Sequence, residues 1–323
     1  MSKLTRRKFI ARTGTGLAAF QATNTSRGRA TPARAAPARK FYAILSLGRI
    51  GFSGTFEQSV DLARKYGFEG VDPDAGFFAR LSDADLKRLL DDLASKNLEF
   101  GAAGLPVEFR KDEAAFSQDL KKLPAAAKAL ERAGVWRVST WVLPSSNNLT
   151  YLQNFRTHAC RLRECARVLA DHGQRLGLEY VAPRTFWRGE RHPFVHTLSE
   201  MKELLVAIGT DNLGIQLDSW HWYNAEETAS DLRTLRGSDV MTVDLNDAPR
   251  LPLDQQADDR RELPASTGVI PVKEFLGALV EIGYDGPIQA EPFNARLRSL
   301  PLEQAVASTA EAVRKAFEEA GLT

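Results

Sequence analysis

The feature that most constrains this chain is a repeated change of hydrophobic period. From Lys40 onward, short apolar runs alternate with amphipathic stretches of helical spacing. The runs fall at 41–47, 69–72, 98–102, 135–142, 175–181, 213–218, 240–245 and 288–291. They are short, continuous and rich in Val, Ile and Leu, as strands covered on both faces are. Helical patterns follow at 56–66, 83–96, 113–133, 152–172, 198–208, 226–235, 272–282 and 302–320. Thr55 and Ser82 are suited to cap the first two, Gly67 to stop the first, and Pro124 to kink or split the third. Strands alternating with helices imply a parallel sheet, and eight such units in about 280 residues predict a closed (β/α)8 TIM barrel in a single domain, 40–323. The competing fold is an open doubly wound sheet. Leu47-Gly48-Arg49-Ile50-Gly51, after the first run, lacks the third glycine of a dinucleotide-binding turn, so that function is disfavoured.

In such a barrel the chemistry sits at the carboxyl ends of the strands. The last four runs each carry an acid there: Glu179, Asp218, Asp244 and Glu291. Singly, Glu179 or Asp244 reads as a salt-bridged strand residue, and Asp218 as a helix cap. Together, four carboxylates in one lumen would repel one another and hold each other's protons. A divalent cation removes that conflict. The all-oxygen donor set suits Mn²⁺ or Mg²⁺, with Co²⁺ and Zn²⁺ as further candidates. His221, three residues after Asp218, is a further candidate for the same site.

Charge separates the N-terminus from the body. The chain has 43 Lys and Arg against 41 Asp and Glu. Eight of the basic residues and none of the acids lie within residues 1–35, so the remainder is acidic and has no general affinity for nucleic acid. Thr5-Arg6-Arg7-Lys8-Phe9-Ile10, a modest apolar stretch and Ala33-Arg34-Ala35 resemble a twin-arginine signal peptide with its cleavage site. Residues 1–39 are therefore expected to be signal and linker, and the product to be exported to the periplasm or another extracytoplasmic space. No run reaches the ~18 to 20 apolar residues of a membrane span. Cys160 and Cys165 lie on one expected helix and point apart, which argues against a disulfide.

The residues after Gly177 carry a resemblance. Leu178-Glu179-Tyr180-Val181, Leu217-Asp218-Ser219-Trp220-His221 and Ala290-Glu291-Pro292-Phe293 resemble the metal-bearing strands of the xylose-isomerase-like TIM barrels, which include sugar epimerases, inosose isomerases, dehydratases and endonuclease IV. Asp258-Asp259-Arg260-Arg261-Glu262-Leu263-Pro264 is similar to that family's arginine-bearing substrate loop, and Gly283-Tyr284-Asp285-Gly286 to its last turn. The inosose isomerase and ketose epimerase branches are the most similar. The resemblance implies Glu179, Asp218 and Glu291 as metal ligands, with Asp244 where the family usually has a histidine. It implies Glu179 and Glu291 as the proton-transfer pair, and His221 and Arg261, rather than Arg260, as substrate contacts. Trp141, Trp187 and Trp220 are candidates for apolar walls, although core packing suits each of them as well. The implied activity is a metal-dependent isomerase or epimerase of a free sugar or cyclitol, working through an enediolate, either as a monomer or as an oligomer. A keto-sugar lyase or dehydratase on the same scaffold is the close alternative, and a non-catalytic carbohydrate-binding relic the distant one. A nuclease of the endonuclease IV type is disfavoured, because five histidines in an acidic body do not make its metal cluster.

Overall fold

The computed structural model describes residues 38–322, so residues 1–37 of the expected signal and linker lie outside the described residues. Eight parallel strands form the expected ring: Tyr42–Leu45, Gly70–Val71, the interrupted third strand Glu99–Phe100 with Ala103–Gly104, Arg137–Trp141, Arg175–Glu179, Leu213–Asp218, Val240–Leu245 and Pro287–Ala290. Each pairs with its neighbour, and the first pairs with the last. The ring closes at the third strand in an unusual way. Its first half pairs with the second strand and its second half with the fourth, so Gly101 and Ala102 complete the circle through the chain itself. A Cβ on Gly101 would lie 2.2 Å from Ile44 Cδ1, so a side chain at this crossover would have to push the Ile44 side chain aside.

The helices form where local chemistry directs them. Phe56–Tyr66 begins at Thr55, whose side chain accepts from Gln58 N, and ends at Gly67 with φ 76°. Ser82 caps Asp83–Ser95 in the same way. Pro124 splits the third expected helix into Glu113–Leu120 and Leu123–Arg132, with the proline in the first turn of the second piece. One expectation is corrected. The helix read over 226–235 is replaced by Ser219–Asn224, which starts directly on the sixth strand, and a short Ala229–Leu232. Asp218 caps the former through Trp220 N, and Glu226, at φ 59°, breaks the path between them. The sequence reading also omitted three short helices, Ala75–Arg80, Arg184–Trp187 and Ala295–Arg298, and a two-stranded pairing of Ser145–Ser146 with His192–Pro193.

The core lies between strands and helices and includes Phe41, Leu178, Met201, Leu217, Val243, Phe275, Tyr284 and Ile288. Cys160 is exposed, Cys165 is buried, and both are free. No described helix is long and apolar enough to cross a membrane.

Candidate active site

Glu179 and Asp218 end strands five and six, Asp244 is the penultimate residue of strand seven and Glu291 directly follows strand eight; all are buried, and the register sets Asp244 opposite Asp218. One carboxylate oxygen from each lies within 4.8 Å of the others. His221, on the helix that follows Asp218, joins Glu179 and Asp218 in an overlapping group. The structure therefore brings together all four acids and the histidine singled out from the sequence.

Two guanidiniums enter the same cluster. Arg261 Nη1 donates to Asp218 Oδ2 at 2.8 Å and to Glu291 Oε2 at 2.6 Å. Arg261 is itself fixed by Asp258 Oδ1, which accepts from Nε at 3.0 Å and from Nη2 at 2.6 Å, and its guanidinium lies 4.5 Å from the Phe293 ring centroid. Phe293 holds φ at 31°, a left-handed value that is uncommon for a bulky residue, directly beside the acids. Arg260 is exposed and makes no contact with the acids among the described residues. The second guanidinium, Arg49, comes from the loop after the first strand. Its Nη1 donates to Asp244 Oδ2 at 3.0 Å and to Glu291 Oε1 at 2.6 Å.

Asp244 is held from three sides. Gln216 Nε2 donates to Oδ2 at 2.6 Å, Gln289 Nε2 to Oδ1 at 2.9 Å, and Arg49 completes the set. Asn246 Nδ2 donates to Asp218 Oδ1, while Asn246 Oδ1 accepts from Glu291 N, so one side chain ties the sixth strand to the eighth. In contrast, Glu179 Oε1 is buried without a hydrogen-bond partner.

Burial governs the protons here. It raises Glu179 well above the usual carboxylate range, with Glu291, Asp244 and Asp218 adding to the effect. It pushes Asp218 up to about 8, opposed chiefly by Arg261. It pushes Asp244 up to about 6, opposed chiefly by Arg49. Burial, with Arg261 nearby, keeps His221 neutral by lowering it well below its ordinary value. Ala182 N donates to His221 Nδ1 at 3.3 Å, so the proton of the neutral ring sits on Nε2, 3.8 Å from both Glu179 Oε1 and Asp218 Oδ2. The 3.3 Å approach of Arg261 Nη2 to that same Nε2 is then a contact of two donors and not a hydrogen bond.

The cluster fits a divalent cation. Four acids facing two guanidiniums leave two formal negative charges, and the partnerless Glu179 oxygen is free to take a cation. Glu179, Asp218 and Glu291 would hold the ion, and Asp244 offers a fourth oxygen of the same set.

A long loop positions Arg261. Its base is Asp247, buried, whose carboxylate accepts from the backbone N–H groups of Ala248, Thr267, Gly268 and Ile270 at 2.7–3.0 Å. Asp247 also pairs with Glu262 through backbone hydrogen bonds at 2.8 and 2.9 Å. Beside the acids, a cavity of about 510 Å³ is lined by Phe186, Asp258, Phe293 and Arg298 among others. The tryptophans do not line it. Trp220 is buried in the core, Trp187 stacks on His196, and Trp141 lies under Arg110.

Sequence reading missed Arg49, Gln216 and Gln289. The glutamines were detectable. Each stands two residues before a site acid, hence on the same strand face, inside an otherwise apolar run.

A closed parallel barrel with acids converging at its carboxyl end defines a class of barrel enzymes. The chain belongs to the xylose isomerase-like TIM barrel family, whose model matches residues 60–316. It is 26% identical over 214 residues to an inosose isomerase of Halalkalibacterium halodurans, covering 64% of this chain and 72% of that protein. It is 26% identical over 261 residues to a 3-dehydroshikimate dehydratase of Pseudomonas aeruginosa, covering 79% of this chain but only 39% of that longer protein. A solved xylose isomerase domain protein from Alicyclobacillus acidocaldarius superposes with a TM-score of 0.74 at 30% identity, covering 87% of this chain and 99% of that one. A zinc-bound IolI protein superposes at 0.71 with 18% identity, covering 86% and 99%, and shows likeness of fold alone.

Proposed function

We propose that this protein is a divalent-metal-dependent enzyme that moves a proton next to the carbonyl of a sugar or cyclitol. The observation that carries the reading is the convergence of Glu179, Asp218, Asp244 and Glu291 within 4.8 Å, with His221 and Arg261 against them. The inosose isomerase and dehydratase relatives support the substrate class, and the zinc-bound neighbour supports a metal. A bound divalent ion, Mn²⁺ or Mg²⁺ by donor chemistry, would supply Lewis acidity to the carbonyl oxygen. Glu179, with its unengaged Oε1, takes the proton from the carbon beside the carbonyl. Glu291 returns a proton, and the two guanidiniums on its oxygens orient it. His221, held as the Nε2–H tautomer by Ala182, donates to a substrate oxygen. Arg261, fixed by Asp258, binds a second oxygen. Returning the proton to the substrate gives isomerisation or epimerisation. Expelling a neighbouring hydroxyl gives the dehydratase outcome, which the second group of relatives favours.

The test is turnover of a panel containing an inosose, ketohexoses and 3-dehydroshikimate by Mn²⁺-loaded protein in D₂O. Deuterium uptake without elimination establishes isomerisation, and an unsaturated product establishes dehydration. A metal-loaded protein that exchanges no carbon-bound hydrogen on any of these substrates sinks the reading. The N-terminal pattern adds the proposal that this chemistry takes place after twin-arginine export.

A further inference from the structure

The amino end of the barrel, away from the acids, holds a cavity of about 430 Å³ with a different chemistry. Arg137 and Arg175 are the first residues of the fourth and fifth strands, and Arg236 stands in the turn before the seventh. All three line the cavity, together with Trp136, Ser238 and Asp285 among others. Gly237 N donates to Ile282 O at 2.8 Å, so the turns at 237 and 283 form one wall. Three guanidiniums thus face one acid.

Two of the three are braced by the protein. Arg175 Nη1 donates to Ser238 O at 2.7 Å and Nη2 to Leu213 O at 2.8 Å. Arg236, 83% exposed, holds Asp239 Oδ1 through Nη2 at 2.9 Å and Oδ2 through Nε at 3.3 Å. Arg137 is different. Its side chain keeps only 12% of its surface exposed, yet it makes no hydrogen bond among the described residues. Nε is sealed without a partner, and the guanidinium lies 3.9 Å from the Trp136 ring centroid. Asp285 Oδ1, on a side chain that is 69% exposed, stops 3.6 Å from Nη2. A largely buried guanidinium without a hydrogen bond is costly, and an anion in the cavity relieves that cost. The cations also work against one another. Burial lowers Arg175 from its ordinary value, and Arg137 and Arg236 add to that effect while Asp239 opposes it.

The three cations come from three separate elements. A carboxylate offers two oxygens in one plane, whereas a phosphate offers three in different directions and carries up to two charges. The cavity is larger than a bare phosphate, which leaves room for an organic group beside Trp136. We propose that this cavity binds a phosphate group, either inorganic phosphate or a phosphate monoester, between Arg137, Arg175 and Arg236. The bound anion ties the starts of the fourth and fifth strands to the turn that leads into the seventh, and so stabilises the barrel from the end opposite the acids.

Urea unfolding of the full chain tests this, with inorganic phosphate titrated at constant ionic strength and acetate as the reference anion. Wild type should gain stability saturably, with half-saturation at about 1 mM or below, and acetate should not reproduce it. Phosphate also stabilises proteins generally by exclusion from their surface, but that effect does not saturate and is shared by every variant. Arg137→Met should raise the half-saturation point at least about tenfold, and Arg137→Lys, which keeps the charge but loses the fork, should fall between. Arg298→Met, at the carboxyl end, should leave it unchanged. An unsaturable response in wild type, a saturable one that survives Arg137→Met, or one that Arg298→Met removes overturns the proposal. If both Arg137 variants misfold by circular dichroism, the same comparison on Arg236→Gln, whose side chain is exposed, decides instead. Glycerol 2-phosphate separates the two sources: a lower half-saturation point than inorganic phosphate identifies a monoester as the occupant, and a higher one identifies inorganic phosphate.

Discussion

Asp218 carries two duties through two oxygens. Oδ1 caps a helix and takes Asn246, and Oδ2 faces the cluster. Read from sequence, the cap and the ligand were rival explanations, but the carboxylate's four lone-pair sites accommodate both. With its carboxyl pushed up to about 8 by burial, Asp218 must release a proton before it can hold a cation. Mn²⁺ affinity should therefore rise with pH, by up to about tenfold per unit for each proton that Asp218 and Glu179 release. Calorimetry in buffers of different ionisation enthalpy checks this, and a flat pH profile refutes it. Asp218→Asn should lower Mn²⁺ uptake by at least about tenfold, read as bound metal after gel filtration. Glu179, Asp218, Asp244 and Glu291 were legible because an acid ending a buried strand has no packing explanation. Arg49 was not. Its stretch reads only as an incomplete dinucleotide-binding turn, and nothing local in a sequence says that a loop arginine reaches an acid some two hundred residues away.

At the scale of elements, the loop from Asn246 to Gly268 decides where Arg261 stands. Sequence marked it as long and polar, and also as the bearer of a substrate arginine. It could not show that Asp247 gathers four backbone N–H groups and so turns a flexible segment into a fixed arm. Asp247→Ala strands those donors and should destabilise the fold by about 2–4 kcal/mol, measured by urea unfolding. Turnover should fall further than stability explains, because Arg261 loses its footing. A variant with wild-type kcat would show that the loop is positioned by other contacts. The missed helix Ser219–Asn224 belongs to this scale too. Its pattern, SWHWYN, is too short for periodicity to reveal, and it starts without any intervening loop.

For the whole molecule, the alternation of periods was enough to give the barrel, since eight parallel strands with helical crossovers have few ways to close. Acid stability depends on a residue far from the site. His158 is buried, donates from Nδ1 to Asn154 O at 3.0 Å, and leaves Nε2 without a partner between Phe109 and Phe194. Burial lowers it from 6.5 to about 4. The unfolded chain thus binds this proton more readily than the folded one. The resulting stability is complete above pH 6.5 and is lost as pH falls through about 4, a total of about 3 kcal/mol. The raised acids of the cluster pull the other way in both proteins, so denaturant unfolding between pH 4 and 7 should show the His158 contribution as the difference in slope between wild type and His158→Leu.

The crossover at Gly101 and Ala102 has a dynamic consequence. From the fourth strand to the eighth, neighbouring strands share three to five registered pairs, such as Arg137↔Arg175 to Trp141↔Glu179, but the joints of the first and second strands and of both halves of the third carry only two each. The barrel wall is therefore thinnest on one side, and thermal opening should begin there as a local event of lower free energy than global unfolding. Amides of Glu99, Gly101 and Leu105, bonded to Glu69, Val71 and Ser139, should exchange with deuterium well before those of Ile215 and Val243. All four acids stand on the opposite arc, strands five to eight, so the wall can breathe while the cluster keeps its geometry.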